Sequence, residues 1–323
     1  MSRTSLIVYH AGCVDGFTSA WVVYTENCKN GVNSIFLPAG YNAASYDSIV
    51  NKAKEIRAHE VIIVDFSVPI ETLEVLNDLF PSTTVSVLDH HKTAFELYDQ
   101  GHKVNPTSSL YTVIHGATIT LNNSDCGASL AWKMLSASAF DHVPELIKYV
   151  RDYDLWKFEY GDDTRYVNKV LALYLREEKD ISTLLHLWDL AAAALEHPLD
   201  RKEFLAEGKH LQEEHDREVQ AACDDAKPYL FRSHTAFVTH CEPHLASSVG
   251  NELAKRKPGA VGITYCIDYS LPTKPLVKYS LRSIGDTDVS KLAKYYGGGG
   301  HKNAAGFVSA GMPAALLGLE EVN

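Results

Sequence analysis

Three side chains able to bind a metal stand in a row at Asp89-His90-His91, directly after the apolar run Val85-Ser86-Val87-Leu88. Two other apolar runs end in the same kind of residue. Leu6-Ile7-Val8-Tyr9 stops at His10, with Asp15 five residues on, and Val61-Ile62-Ile63-Val64 stops at Asp65. Imidazole and carboxylate together suit Mn²⁺, Fe²⁺, Zn²⁺ or Mg²⁺. An Asp or His just past a strand also serves as a helix cap or turn residue. Three strands ending alike, one of them in a His-His pair with no capping use, favour a metal site.

Residues so far apart in sequence meet only if the strand ends lie side by side. A doubly wound α/β sheet does this, placing ligands outside the carboxyl ends of its strands. Up to about residue 195 the chain alternates accordingly. Strands are expected at 6–9, 34–37, 61–65 and 84–88, and helices at 15–27, 46–57, 70–79, 127–136, 143–150 and 182–195. The charged stretch 202–226, with Pro198 at a helix start, reads as a linker helix. Beyond Pro228, strands at 235–239, 260–267, 277–281 and 305–308 and helices at 244–255 and 289–295 outline a smaller α/β unit. The expected organisation is a metal-binding domain over 1–195, a helical linker over 196–227 and a substrate-binding domain over 228–323. Two lobes joined by a helix leave a cleft, a common ligand site.

Composition narrows the class. The 323 residues can bury two cores, and a hydrophobic share of 46% is that of an ordinary globular protein. No apolar stretch reaches the roughly 18 residues of a membrane helix, and Met1-Ser2-Arg3-Thr4 leads into a strand without a signal peptide's apolar region, so the reading is cytoplasmic. Six cysteines without a Cys-x-x-Cys pair are expected to be free thiols. A net charge of −11 disfavours tracking of long nucleic acid, which needs a basic face, and favours a small anionic substrate held by a few local cations.

The motifs together resemble the DHH phosphoesterases. Four matches lie in the first half: His10-Ala11-Gly12-Cys13-Val14-Asp15-Gly16, Asp65-Phe66-Ser67, Asp89-His90-His91, and Arg151-Asp152-Tyr153-Asp154-Leu155-Trp156. A fifth, Gly297-Gly298-Gly299-Gly300-His301-Lys302-Asn303-Ala304-Ala305-Gly306-Phe307, is similar to the signature of the domain called DHHA1. One position departs: where the family's first motif carries its first Asp, this chain has Cys13. Cys13 is a thiolate ligand favouring softer ions, a non-ligating side chain beside a water, or a sign of lost metal and activity.

The resemblance implies a set of roles. His10 and Asp65 would hold one metal, and Asp15, Asp65, His90 and one of Asp152 or Asp154 a second, with Asp65 bridging. Asp89 would orient His90 or join the sites. The implied cofactors are two divalent cations, Mn²⁺ foremost and Mg²⁺ as an alternative, activating a water and clamping phosphate. His91 would contact the scissile phosphate or protonate the leaving oxygen. The glycines Gly298, Gly299 and Gly300, with His301, could form an anion nest, and Arg282 could grip phosphate through two hydrogen bonds. Together they would measure substrate length by binding a far terminal phosphate. Tyr153 and Trp156 could stack on a base, and Trp156 could equally be core.

The family hydrolyses many phosphates, but the DHHA1 lobe points to nucleotides. The expected activity is hydrolysis of very short 5′-phosphorylated oligonucleotides, such as linear dinucleotides, to mononucleotides. The alternatives are a phosphatase for 3′-phosphoadenosine 5′-phosphate and a nucleotide-binding sensor impaired at Cys13. Family analogy adds a possible homodimer; no membrane partner is implied.

Overall fold

The computed structural model describes residues 3–79, 83–98, 109–136, 142–268, 276–310 and 320–321. Two compact units divide the chain, Met1–Gln212 and Glu213–Asn323.

In the first unit β1 (Thr4–His10), α1 (Val14–Lys29), β2 (Asn33–Ala39), α2 (Ala43–Glu55), β3 (Glu60–Val64), α3 (Ile70–Asn77) and β4 (Thr84–Asp89) alternate as expected, and α4 (Lys92–Tyr98) continues the alternation. A hairpin follows, β5 (Ser109–Ile114) and β6 (Ala117–Asn122), then helices α5 (Gly127–Leu135), α6 (Glu145–Asp154), α7 (Asp162–Glu177) and α8 (Ile181–Glu196). The 27-residue α9 (Pro198–Asp224) contains the boundary between the units. The sheet order is β2-β1-β3-β4-β6-β5, parallel throughout except for β5, which runs antiparallel to β6 at one edge.

Parallel strands covered on both faces are apolar without alternation, and successive side chains point to opposite sides. Ile7, Tyr9, Ile62, Val64 and Leu88 therefore join one core with α1 and α5 to α8. Leu6, Val8, Val61, Ile63, Val85 and Val87 join a second with α2, α3 and α4. Within the first, the fully buried Trp188 packs edge-on against Phe17 at 4.6 Å and donates its indole N–H to Thr18 Oγ1 at 3.0 Å. That contact fixes the first turn of α1, and truncating such a side chain costs about 3–5 kcal/mol.

The hairpin, α4 and α7 were not among the expected elements. His115 and Gly116, at φ of 46° and 82°, form the hairpin's two-residue turn, whose left-handed backbone matches the strand twist. On β5, Tyr111 and Val113 are 68% and 60% exposed.

The second unit holds β7 (Lys227–Phe231), β8 (His234–His240), α10 (Ala246–Lys255), β9 (Val261–Asp268), β10 (Leu276–Ser283), α11 (Val289–Tyr295), β11 (Gly299–His301), β12 (Ala304–Ala310) and β13 (Glu320–Glu321). Its sheet order is β11-β12-β10-β9-β8-β7-β13, with β8 and β9 parallel and the other neighbours antiparallel. Among the described residues, no helix is long and apolar enough to cross a membrane.

Candidate metal centre

The carboxyl ends of β1, β3 and β4 lie side by side in the first unit, and each delivers a polar residue there. β1 ends at His10, β3 is followed by Asp65, and β4 runs into Asp89, His90 and His91. Asp65 has a left-handed backbone, φ 53°, which is uncommon for a residue with a Cβ and turns its carboxylate towards the neighbouring strand ends. Two helices bring the rest: Asp15 from the first turn of α1, and Asp154 from the last residue of α6.

Three groups of ligand atoms, each within 4.8 Å of one another, result: His10, Cys13 and Asp65; Asp15, His90 and Asp154; and Asp65, Asp89, His90 and His91. Asp65 and His90 link them. Asp65 Oδ1 lies 3.0 Å from His90 Nε2, and Oδ2 lies 3.7 Å from His10 Nδ1. His90 Nε2 is also 3.7 Å from Asp15 Oδ2 and 3.5 Å from Asp154 Oδ2. His10 Nδ1, Asp65 Oδ2 and Asp154 Oδ2 are buried without a hydrogen-bond partner. Buried polar atoms are rarely left unpaired, and three of them converging with carboxylates and imidazoles make a donor set that could hold a divalent cation.

Electrostatics agree. Burial, followed by the charge of Asp65, pushes the carboxyl groups of Asp15 and Asp154 upward. Burial also opposes charge on Asp65, but the neighbouring imidazoles of His10 and His90 outweigh it and hold that carboxyl below its ordinary range. On His90 burial favours the neutral ring, yet Asp65, Asp15 and Asp154 raise it to about 9. The Cys13 thiol is pushed up by burial and then by Asp65 and Asp15, so without a cation it keeps its proton.

The remaining carboxylates have other work. Asp89 Oδ1 accepts from the backbone N–H groups of His90 and His91, at 2.7 and 3.2 Å, and from the ring Nδ1 of His91 at 2.7 Å, while Ser67 donates its hydroxyl to Oδ2. Asp89 thus orients the ring of His91, not that of His90. Asp152 is a correction: it does not join the cluster. Both its oxygens are occupied by the N–H groups of Glu159 and Tyr160, at 2.9 and 3.3 Å, and by the Thr164 hydroxyl. Arg151 turns to Asp125, 3.0 Å, and the Ser124 carbonyl, 2.9 Å. Trp156 is 66% exposed, which excludes a core role.

Several supporting residues escaped the sequence reading. Asp15 accepts from the N–H groups of Gly127, 2.6 Å, and Ala128, 2.9 Å, at the start of α5, where the helix dipole also favours an anion. Gly127 is required there, since a Cβ would sit 2.7 Å from that of Asp65. Ser67 belonged to a quoted motif without a role. The ring of Tyr41 packs edge-on against His10 at 5.5 Å, and nothing in the sequence pointed to it.

In the second unit, Arg282 of β10 pairs with Ala304 of β12, which pairs with His301 of β11. Directly paired residues share a face, so Arg282 and His301 stand on one side of the sheet. Arg282 donates to Ser280 Oγ and the Leu281 carbonyl, both at 3.0 Å, and to Ser247 Oγ at 2.7 Å; among the described residues these partners are all neutral. The glycine run does not present four free amides. Gly297 and Gly298 donate to the Lys294 and Ala293 carbonyls and end α11, and Gly299 and Gly300 pair with Gly306 and Ala305.

No protein-family model matches the chain. It is 26% identical to an uncharacterised protein of Acanthamoeba polyphaga mimivirus, over 97% of this chain and 69% of that one. It is 28% identical to the oligoribonuclease NrnB of Bacillus subtilis over 87% of this chain, and it spans 64% of that protein's length. Among solved structures, exonuclease RecJ bound to manganese aligns with a TM-score of 0.52 at 15% identity, covering 98% of this chain and 87% of that one. RecJ of Thermus thermophilus in complex with Mn²⁺ aligns with a TM-score of 0.51 at 15% identity, covering 98% of this chain and 50% of that one. Likeness at this level is likeness of fold.

Proposed function

We infer that this chain, a DHH/DHHA1-family phosphoesterase by motif set and fold, is a metal-dependent phosphodiesterase that cleaves very short 5′-phosphorylated oligonucleotides to mononucleotides. The observation that carries the reading is the convergence of His10 Nδ1, Asp65 Oδ2 and Asp154 Oδ2, all buried and unpaired, on one cluster. His10, Asp15, Asp65, His90 and Asp154 would hold two divalent cations, Mn²⁺ by preference, with Cys13 at their margin. Such cations supply an activated water and withdraw charge from the phosphate.

The chain's own residues do the rest. The amides of Gly127 and Ala128 fix Asp15, so its carboxylate needs no reorganisation when the substrate arrives. His91 is held by Asp89 through Nδ1, which leaves Nε2 as the atom that gives a proton to the leaving oxygen. Burial opposes charge on His91, but the Asp89 bond outweighs it and raises the ring's pKa, which favours the protonated form a proton donor needs. In the second unit, Arg282 and His301 would hold a substrate phosphate; the neutral partners of Arg282 leave its charge for an anion. The oligoribonuclease activity of the Bacillus subtilis relative supports short RNA as the substrate class.

The test is product analysis by chromatography with Mn²⁺ and a 5′-phosphorylated RNA dinucleotide, with Asp89→Ala/His90→Ala as the blank. Mononucleotides from the wild type alone support the reading. An intact dinucleotide overturns it.

A further inference from the structure

Of the four tryptophans, Trp21, Trp132 and Trp188 are 6%, 9% and 0% exposed, whereas Trp156, two residues beyond Asp154, is 66% exposed. An exposed apolar ring is ordinary by itself. The setting of this one is not. As α6 ends, Trp156 N donates to the Tyr153 carbonyl and Lys157 N to the Asp152 carbonyl, both at 3.0 Å. Trp156 and Phe158 then take left-handed backbone angles, φ 56° and 53°, which bulky residues rarely adopt. The turn is clamped from inside by Asp152, whose buried carboxylate holds the Glu159 and Tyr160 amides and Thr164. The rings brace one another: Trp156 meets Tyr153 edge-on at 5.6 Å and Phe158 at 4.8 Å, and the Arg165 guanidinium lies 4.2 Å over Phe158. The indole is therefore held on a fixed ledge, two residues along the chain from Asp154 of the candidate metal centre.

We propose that Trp156 is the base-stacking residue of this site, on which the nucleobase attached to the reacting phosphate lies flat. The inference rests on the phosphodiesterase reading above and adds what it lacks, a group that recognises the substrate as a nucleotide. Every base has a π-face, so a stacking ledge binds bases without choosing strongly among them. Asp152 is then the positioning residue of the ledge, while Asp154 serves the metal centre.

The test compares the 5′-phosphorylated RNA dinucleotide with an abasic analogue in which both bases are replaced by hydrogen. Wild type is expected to prefer the dinucleotide in kcat/KM by roughly tenfold or more, through KM. Trp156→Ala should bring the ratio near one, and Trp156→Phe should restore much of it. Binding is read separately by tryptophan emission during dinucleotide titration in Ca²⁺: a quench is expected in wild type and not in Trp156→Phe. A preference retained by Trp156→Ala, or a quench retained by Trp156→Phe, overturns the inference. So does the absence of any wild-type quench. A Trp156-dependent quench without hydrolysis would sink the phosphodiesterase reading and leave the stacking site standing.

Discussion

Asp152→Asn and Asp154→Asn alter two carboxylates of one helix end, and the structure assigns them opposite consequences. Asp152 is 2% exposed and accepts two backbone amides and a hydroxyl. An Asn there keeps one acceptor oxygen and sets an NH₂ group against donors on the other side. It removes charge-assisted bonds and strands at least one buried donor, a loss of about 3 kcal/mol. In a unit of this size that lowers Tm by roughly 6–12 °C. Asp154 differs: burial, then the charge of Asp65, raises its pKa, so the folded chain resists its ionisation. For a carboxyl raised on folding, stability falls as pH rises through the raised value, and at neutral pH the charge is a cost. Asp154→Asn is therefore expected to leave the metal-free Tm unchanged or higher while weakening Mn²⁺ binding by more than about 100-fold, beyond the 10–100-fold typical of outer partners. Thermal melting of the metal-free variants and calorimetric titration with Mn²⁺ read both quantities. Loss of Mn²⁺ binding in Asp152→Asn with an unchanged Tm, or a Tm drop in metal-free Asp154→Asn with binding intact, would refute the assignment.

Four further outcomes follow from the same geometry. His90, raised to about 9, must lose its proton to ligate, so Mn²⁺ binding near pH 7.5 should release about one proton from it and tighten about tenfold per pH unit up to about 9; calorimetry in buffers of different ionisation enthalpy measures this. In the metal-free chain the sign is reversed, since the stability contributed by charged His90 is complete below pH 6.5 and is lost as pH climbs through about 9, which pH-dependent melting detects. His91→Ala should lower kcat on the dinucleotide by roughly 10²–10⁴-fold with Mn²⁺ affinity held within about threefold, as expected for a proton donor and not a ligand. Cys13→Asp adds a carboxylate beside His10 and Asp65, so it should lower the metal-free Tm by like-charge repulsion and tighten Mn²⁺ binding; unchanged affinity would place Cys13 outside the coordination sphere.

The strand ends were legible because their signal is local. A buried parallel strand is an uninterrupted apolar run, and whatever polar residue stops it is visible in the sequence, as at His10, Asp65 and Asp89. Asp152 and Asp154 show where such reading stops. Residues two apart on a helix are about 200° apart around its axis, so they face opposite ways, and only the packing of α6 against its neighbours decides which faces the cluster. The amides that fix Asp15 come from residues more than a hundred positions away, with no side-chain chemistry to mark them. The glycine run invited an anion nest, but the same freedom of backbone serves to end α11 and to bring β11 against β12, where a Cβ at Gly298 would sit 2.1 Å from the Gly306 carbonyl. The hairpin did carry a signal in His115-Gly116 between β-branched runs, and its antiparallel strand broke an otherwise parallel pattern.

That hairpin also forms one border of the first unit's sheet. β5, Ser109-Leu110-Tyr111-Thr112-Val113-Ile114, carries no charge along its length, and among the described residues nothing pairs with its outer side. Lysine, proline or a bulge commonly guards such an edge, because unpaired N–H and C=O groups on a flat strand recruit strands from other chains. Among the described residues β5 carries none of these guards, while the large apolar side chains of Tyr111 and Val113 stand exposed on it, so this border of the sheet has the character that recruits strands.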